Sequence, residues 1–497
     1  MQLRSVPYKW IVAAVFVTGM FMDIMDTTIV NVAIPSLSRD LHTSASSIEW
    51  VVLGYLVSLA VWIPASGWVG DRFGTKKTFL FALFAFTVAS ALCGQAHSAR
   101  ELIAFRILQG VGGGMLTPVG TAMLFRAFPP AERAKASSVL MIPAVLAPAL
   151  GPVIGGWLVT DVSWRWIFYV NLPVGLFGFI FGALFLKESR EPTAGRFDAA
   201  GFVLSGGGLA LVLYALSEGP SRGWRSAPVT LTAISGIAMF ALLVMVELRI
   251  AEPMLDLRLY RERMFRNSNI VQAISFGGMA GLLFLLPQFL QTLRGLSALQ
   301  SGLTTFPQAI GMMLAIRVVG HLYPRIGPRR LIIGGLVSVT VVSLAFVEVD
   351  LTTSLWWIRL LMFLRGISMS FAFIPLQAST YANISGANTG RASALYSTQR
   401  QVGGALGVAV LATIWLSRTN ALTAGVTGAT ALQSARVGGF HDAFFAATIF
   451  SVIAASAALM IRDSDAASTL PMIFGSSANS ANSANRDNLQ PVAVPAR

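Results

Sequence analysis

The sequence predicts an all-α polytopic membrane protein of 14 transmembrane helices, two six-helix bundles with an extra helix pair between them. Three observations predict it. Of 497 residues, 55% are hydrophobic and only 12% are charged, with a mean hydropathy of +0.68; soluble domains would need charged surfaces between their cores. Apolar runs of about 20 residues, the length that crosses a bilayer, recur from one end to the other. The charges sit mostly in short clusters between those runs.

Taken in order, the runs fall at 10–34, 48–69, 78–96, 101–125, 137–159, 166–186, 199–217, 228–248, 268–290, 300–322, 331–347, 355–378, 392–416 and 441–461. The first follows Arg4 and Lys9, as in a signal peptide, but Asp23, Asp26 and Asn31 interrupt it and no small-residue cleavage site ends it, so it reads as an uncleaved span. Gly151-Pro152, Pro287, Pro307 and Pro375 lie inside spans, where neighbouring helices can re-satisfy the freed backbone groups. Two connections on the same side, 187–198 and 249–267, read as boundaries and divide the spans as six, two and six. The expected units are therefore a bundle over 1–187, then linker, two extra helices and a basic loop over 188–266, then a second bundle over 267–461. Residues 462–497, with Ser-Ala-Asn three times at 477–485, read as a polar disordered tail. The Gly-, Thr- and Ala-rich segment 417–440 reads as a mobile loop.

An even number of spans puts both termini on one side. Lys and Arg number 23 on that side and eight on the other, the bias of a protein with both termini cytoplasmic. Basic inner ends meet anionic lipid head groups, which accounts for the net charge of +14 without a nucleic-acid partner. The single cysteine, Cys93, rules out an intrachain disulfide and a Cys-based metal site. His42, His97, His321 and His441 lie near span ends without ligand spacing, so neither a metal nor an enzyme's catalytic constellation is expected. Gly70 to Lys77 has the wrong spacing and setting for a phosphate loop, which argues against ATP.

Charges inside the spans are the candidate functional residues, because an acid at bilayer depth costs about 2.5–3.5 kcal/mol and usually faces a polar interior. Asp23 and Asp26, three apart, share one face of the first span. Either they couple ions or protons, or Asp26 bonds an arginine or backbone to fix packing. Arg106, in the fourth span, must find an acid, a carbonyl or a water-filled cavity, and a purely structural anchor is the alternative. Arg317, Arg359, Arg365 and Arg400 add further intramembrane or near-end cations, a balance that admits anionic or zwitterionic cargo. Asn31, Tyr55, Gln109, Gln288 and Arg365 are candidate cavity contacts. Met20, Met22, Met25, Met279, Met312, Met313 and Met369 either adapt to ligands or face lipid.

Several segments carry a resemblance. Gly67-Trp68-Val69-Gly70-Asp71-Arg72-Phe73-Gly74-Thr75-Lys76-Lys77 resembles the inner-loop signature of the major facilitator superfamily, with Thr75 where a basic residue is usual. The matching segment Gly320 to Arg330 has Pro324 where an acid would sit. Leu102 to Gly114 resembles the fourth-span signature, and Ala144 to Gly156 the fifth-span signature of exporters. Met25 to Pro35, Trp164 to Pro173 and Arg400 to Gly407 narrow the resemblance, over about residues 10–461, to drug:proton antiporters of the EmrB/QacA type.

That resemblance implies a major facilitator fold working by alternating access, in a bacterial cytoplasmic (inner) membrane. It implies proton coupling through Asp26, Asp23 and Arg106, with Asp26 the stronger candidate of the two acids because it lies in the family's motif. Gly67, Gly70, Asp71, Arg72, Gly74 and Lys76 would form the gating loop, and Gly151, Pro152, Gly155 and Gly156 the antiporter motif. The expected activity is proton-driven export of lipophilic, cationic compounds, with no cofactor. A dedicated exporter of a metabolite or an anionic or zwitterionic amphiphile, and a proton-coupled uptake symporter, are the alternatives. The expected partners are lipophilic small molecules, protons and membrane lipids; a periplasmic adaptor protein is left open.

Overall fold

The computed structural model describes residues 6–43, 45–190, 195–250 and 252–469. Among them every regular element is helical. The α-helices are α1 Tyr8–Asp40, α2 Ala45–Phe73, α3 Thr75–Gln95, α4 Ala99–Ala127, α5 Arg133–Trp157, α6 Trp166–Tyr169, α7 Asn171–Phe185, α8 Ala199–Arg222, α9 Ala227–Glu247, α10 Arg263–Gln288, α11 Ala298–Thr305, α12 Pro307–Ile326, α13 Pro328–Ala345, α14 Leu355–Thr380, α15 Thr389–Thr423 and α16 Ala429–Ala458. They form 14 segments long and apolar enough to cross a membrane, because α6 with α7, and α11 with α12, each make one span. The breaks have local causes. Pro307 opens α12 at its first position, where the missing N–H costs nothing, and α11 starts on a Ser297/Gln300 capping box.

Helices α1–α7 pack as one bundle and α10–α16 as the other. The bundles meet where α5 packs on α11, α12 and α14, and where α15 packs on α2 and α4. The inserted pair divides in role. α9 is only 17% buried over its apolar window and presents Leu231, Ile234 and Ile237 outward, whereas α8 packs on both α2 and α15. Trp50 stacks on Tyr214, Trp62 packs on Phe202, and Trp224 Nε1 donates to Thr413 Oγ1 at 2.9 Å. Of the inserted pair, α9 is therefore peripheral, whereas α8 bridges the two bundles.

α4 is the most buried span. Its glycine run lets it touch two neighbours at backbone distance: a Cβ at Gly112 would lie 2.5 Å from Ala82 O on α3, and one at Gly114 would lie 2.4 Å from Leu59 O on α2. This close fit carries Arg106 into the middle of the first bundle.

Two readings of the segments are corrected. α15 and α16 run to Thr423 and from Ala429, so 417–440 is mostly helix, turning at Gly425 (φ 74°) and Gly428 (φ 103°). Arg418 Nε donates to Asp442 Oδ2 at 2.6 Å between these polar extensions. The tail does not begin at 462 as irregular chain: Asp463–Thr469 forms a 3-10 helix. Tyr323 and Thr469 share a hydroxyl hydrogen bond of 2.7 Å, and Arg263 Nε donates to Asp465 Oδ2 at 2.7 Å. The remainder of the tail, 470–497, lies outside the described residues.

Candidate functional site

Asp26 is fully buried, and α4 supplies its counter-charge. Arg106 Nη1 donates to Asp26 Oδ2, forming an ion pair with no solvent access to either side chain. The remaining lone pairs are met by amides: Gln109 Nε2 and Asn171 Nδ2 each donate to Asp26 Oδ1 at 3.0 Å. Arg106 is held in turn by Val51 O, 3.1 Å from Nε, and by Gln109 Oε1, 2.7 Å from Nη1. Its Nη2 is buried without a hydrogen bond. Such satisfaction is what a buried pair needs to offset its desolvation.

Asp23, one turn earlier on α1, has a different environment. Tyr55 OH donates to Oδ1 at 2.5 Å and Thr117 Oγ1 to Oδ2 at 3.3 Å, so neutral hydroxyls surround it and no guanidinium bonds it. Asp23 is 7% exposed and Asp26 not at all. Two carboxylates three residues apart thus sit in unlike settings, one ion-paired and one not.

The expected cavity residues sort differently. Tyr55 and Gln109 belong to the carboxylate cluster. Asn31 is exposed on α1, where Nδ2 donates to Thr27 O at 3.2 Å. Gln288 ends α10 without lining the central cavity. That cavity, of about 130 Å³, lies between the bundles. Met20, Met141 and Pro148 line it on one side and Gln272, Gln308, Met312, Gln377 and Arg400 on the other. Arg365 lies behind this wall, donating from Nη1 to Gln308 Oε1 at 3.0 Å. Among the described residues no carboxylate lines the cavity.

The glycine-rich turn is a latch at the end of the bundles that holds α1's start and the 463–469 helix. Asp71 Oδ1 accepts from Arg126 Nη2 at 2.7 Å, and Arg126 Nε reaches Gly386 O across the seam at 3.1 Å. A Cβ at Gly390 would lie 2.8 Å from Asp71 Oδ1, so this carboxylate faces the first turn of α15, whose dipole favours negative charge. Gly67 permits the same close approach, since a Cβ there would lie 2.8 Å from Gly390 O. Lys76 Nζ donates to Ala183 O at 2.7 Å, and Arg72 O accepts from Arg190 Nε at 2.7 Å. Gly70 packs loosely against Val119. Gly74 turns at φ 98°, and the Glu188 carboxylate closes the start of α3 by accepting from Lys76 N at 3.0 Å and Lys77 N at 3.3 Å.

The second half repeats this device. Gly327 turns at φ 84°, and Asp463 Oδ1 accepts from Arg329 N at 2.8 Å at the start of α13. The acid absent at Pro324 is not replaced, but the cap equivalent to Glu188 arrives from beyond the last span.

The fifth-span glycines mark a helix seam. A Cβ at Gly151 would lie 2.1 Å from Thr28 Oγ1 and one at Gly155 2.8 Å from Ile29 Cγ1, so α5 lies directly on α1 next to Asp26. Gly156 faces open space, and the side chain of Pro152 is outside the described residues. Sequence reasoning did not single out Asn171, Thr117, Arg126 or Glu188 as functional. Asn171 and Thr117 have a local signal, each a polar residue within an apolar run.

Known proteins share this architecture and sequence. Residues 16–408 match the Major Facilitator Superfamily. The chain is 35% identical over 406 residues to the "Multidrug resistance protein B homolog" of Mycobacterium tuberculosis, covering 81% of this chain and 75% of that one. It is 31% identical over 401 residues to the "Putative multidrug resistance protein MdtD" of Serratia proteamaculans, covering 81% and 83%. The crystal structure of the human organic anion transporter MFSD10 superposes with a TM-score of 0.62 at 15% identity, covering 90% of this chain and 100% of that one, a likeness of fold alone. With its 14 spans and its multidrug-resistance relatives in line with the EmrB/QacA-type branch, the chain belongs to the major facilitator superfamily of membrane transporters.

Proposed function

We propose that the protein is a proton-coupled exporter of lipophilic small molecules. It works by alternating access in a bacterial cytoplasmic membrane, with both termini in the cytoplasm and neither ATP nor a cofactor required. The observation that carries this reading is the pair of unlike carboxylates on α1. A proton on Asp26 would leave Arg106 as an uncompensated buried charge, whereas a proton on Asp23 disturbs only hydroxyl contacts. Asp23 is therefore the proton carrier, and Asp26 with Arg106 is the fixed charge against which it works.

Conformational coupling has a physical route. α1 touches α5 at Thr28 and Ile29, and α5 is the helix of the first bundle that packs on α11, α12 and α14. A change in the hydrogen bonding of Asp23 acts on α1, and this seam links α1 to the helix that packs on three helices of the second bundle. With the termini inside, the Asp71–Arg126–Gly386 latch closes the cytoplasmic side, and its release opens the cavity inward.

Relatives named for multidrug resistance support export over uptake. The test is reconstitution in liposomes with an internal pH dye and an imposed proton gradient. Substrate-triggered proton flux that disappears in Asp23→Asn, and is impaired in Asp26→Asn, supports the reading. Flux that survives both substitutions removes α1 from coupling.

A further inference from the structure

We infer that the central cavity receives the anionic head group of an amphiphile, held by Arg400 and by the Gln308 amide donor that Arg365 orients. This rests on the export reading above for its direction, but not for its chemistry. Among the described residues Arg400 is the one permanently charged side chain on the cavity wall. Its guanidinium lies 5.4 Å from the centre of the Phe276 ring and forms no ion pair among the described residues.

Arg365 repeats the pattern one layer deeper. It is 2% exposed, its Nε has no acceptor, and no carboxylate among the described residues pairs with it. Two cations at bilayer depth without a contacting counter-ion are costly unless something else neutralises them. Neither interior acid contacts them: Asp26 is engaged with Arg106, and Asp23, hydrogen-bonded to Tyr55 and Thr117, acts on Arg400 only through its charge at longer range. The first bundle has already placed its carboxylates where the cavity does not reach them. A ligand anion is the group that the cavity leaves for these cations.

The hydrogen bonding of the wall has the same polarity. Because Gln308 Oε1 accepts from Arg365, its amide nitrogen is the end left free for other partners, with only a 3.7 Å contact to Met369 Sδ. Gln308 lines the cavity, so Arg365 converts a neutral amide into a directed donor toward bound cargo. Gln272 and Gln377 have buried Oε1 atoms without partners, which suit a hydroxyl or N–H on the same ligand. Met20, Met141, Met279 and Phe373 supply an adaptable apolar surface for a tail. The occupant is thus a carboxylate, sulfate or phosphate amphiphile that also has hydrogen-bond donors. A lipophilic cation would meet Arg400 with no carboxylate to receive it.

The test uses full-length protein in nanodiscs and two probes with one tail and opposite heads, octyl sulfate and octyltrimethylammonium, with inorganic sulfate as a head-only control. Octyl sulfate is expected to bind at least tenfold more tightly than the cation, and Arg400→Gln to weaken it by about 10- to 100-fold, the value of a charged hydrogen bond. Arg400→Lys should restore much of that loss, and Gln308→Leu should weaken octyl sulfate without strengthening the cation. Arg365→Gln is secondary because it alters a buried side chain. Cation binding equal to or tighter than anion binding, or octyl sulfate binding indifferent to Arg400→Gln, overturns the inference. Binding of inorganic sulfate as tight as octyl sulfate overturns the amphiphile assignment.

Proton flux separates this from the export reading. Arg400-dependent anion binding without substrate-triggered proton flux supports the cargo assignment and defeats proton coupling. Flux triggered by the cation alone does the reverse.

Discussion

Tyr55 stands between two charges: its hydroxyl is 2.5 Å from Asp23 Oδ1, and the centre of its ring is 4.1 Å from Arg106 Cζ. One side chain therefore touches both the carboxylate that lacks a counter-ion and the guanidinium that pairs with its neighbour. Tyr55→Phe separates the two contacts by removing the first and keeping the second. Loss of a hydrogen bond to a charged group is worth about 1.5–3 kcal/mol. The expected outcome is a displaced pH profile of transport, with a stability loss no larger than that bond. Tyr55→Leu should also lower stability, by about 1–2 kcal/mol for the lost cation–π contact. An unchanged pH profile in Tyr55→Phe would mean that Asp23 is not the proton carrier.

The Asp26–Arg106 pair makes a prediction about stability that a double-mutant cycle can read. Arg106→Gln leaves a buried carboxylate uncompensated and should cost about 3–5 kcal/mol. Adding Asp26→Asn removes that charge and should recover a large part of the loss, measured by thermal unfolding in detergent. Additive losses would show that the two side chains do not act as a pair.

How much of this was legible beforehand depended on whether a residue's role was local. Fourteen apolar runs are local, and they gave the spans to within a few residues, except where polar helix extends past the bilayer, as at α15 and α16. Asp26 and Arg106 were legible because a charge inside a span has to find a partner. Glu188 and Asp463 were not, because each caps a helix distant in the chain and sits in an ordinary polar connection. The cavity contacts were read least well. Tyr55 and Gln109 are polar residues in spans, but only the rotation of α2 and α4 decides that they face Asp23 and Asp26 rather than the space between the bundles.

The latch can be tested by distance. Asp71 belongs to one bundle and faces the first turn of α15 in the other, with Arg126 tied to Gly386 beside it. Asp71→Asn removes the charge that this helix end favours, worth about 0.3–1 kcal/mol from the dipole alone. Spin labels at the exposed positions Phe73 and Ala387 should report a longer or broader distance distribution in Asp71→Asn and in Arg126→Gln. An unaltered distribution would assign the turn to folding rather than gating.

The α1–α5 seam predicts opposite results for two glycines five residues apart. Gly151→Val places atoms where Thr28 Oγ1 already lies 2.1 Å from a Cβ, so α1 and α5 must separate beside Asp26. Overpacking of this kind costs about 1–3 kcal/mol. Transport should fall more than stability, since the seam carries motion from the carboxylates to the second bundle. Gly156→Ala meets no atom within 4 Å and should leave both unchanged. Equal effects at the two positions would show that the motif acts through helix flexibility rather than through the contact with α1.

The last turn of described chain predicts an effect of acid. Asp463 caps α13 through Arg329 N, and Asp465 is bonded by Arg263 at the start of α10, so the 463–469 helix ties two helices of the second bundle together. The hydrogen bond from Arg263 holds the Asp465 carboxyl below the ordinary carboxylate range. A carboxylate with a lowered folded pKa stabilises the fold above its unfolded value, near pH 4, and that contribution is lost as pH falls through the lowered value. The pin should therefore hold at neutral pH and release only in strong acid, read as protease cleavage after Arg462. Asp463→Ala should expose the same site at neutral pH, with a loss of about 1 kcal/mol for the missing cap. Protection that persists in Asp463→Ala would place the anchoring in Tyr323 and Thr469 instead.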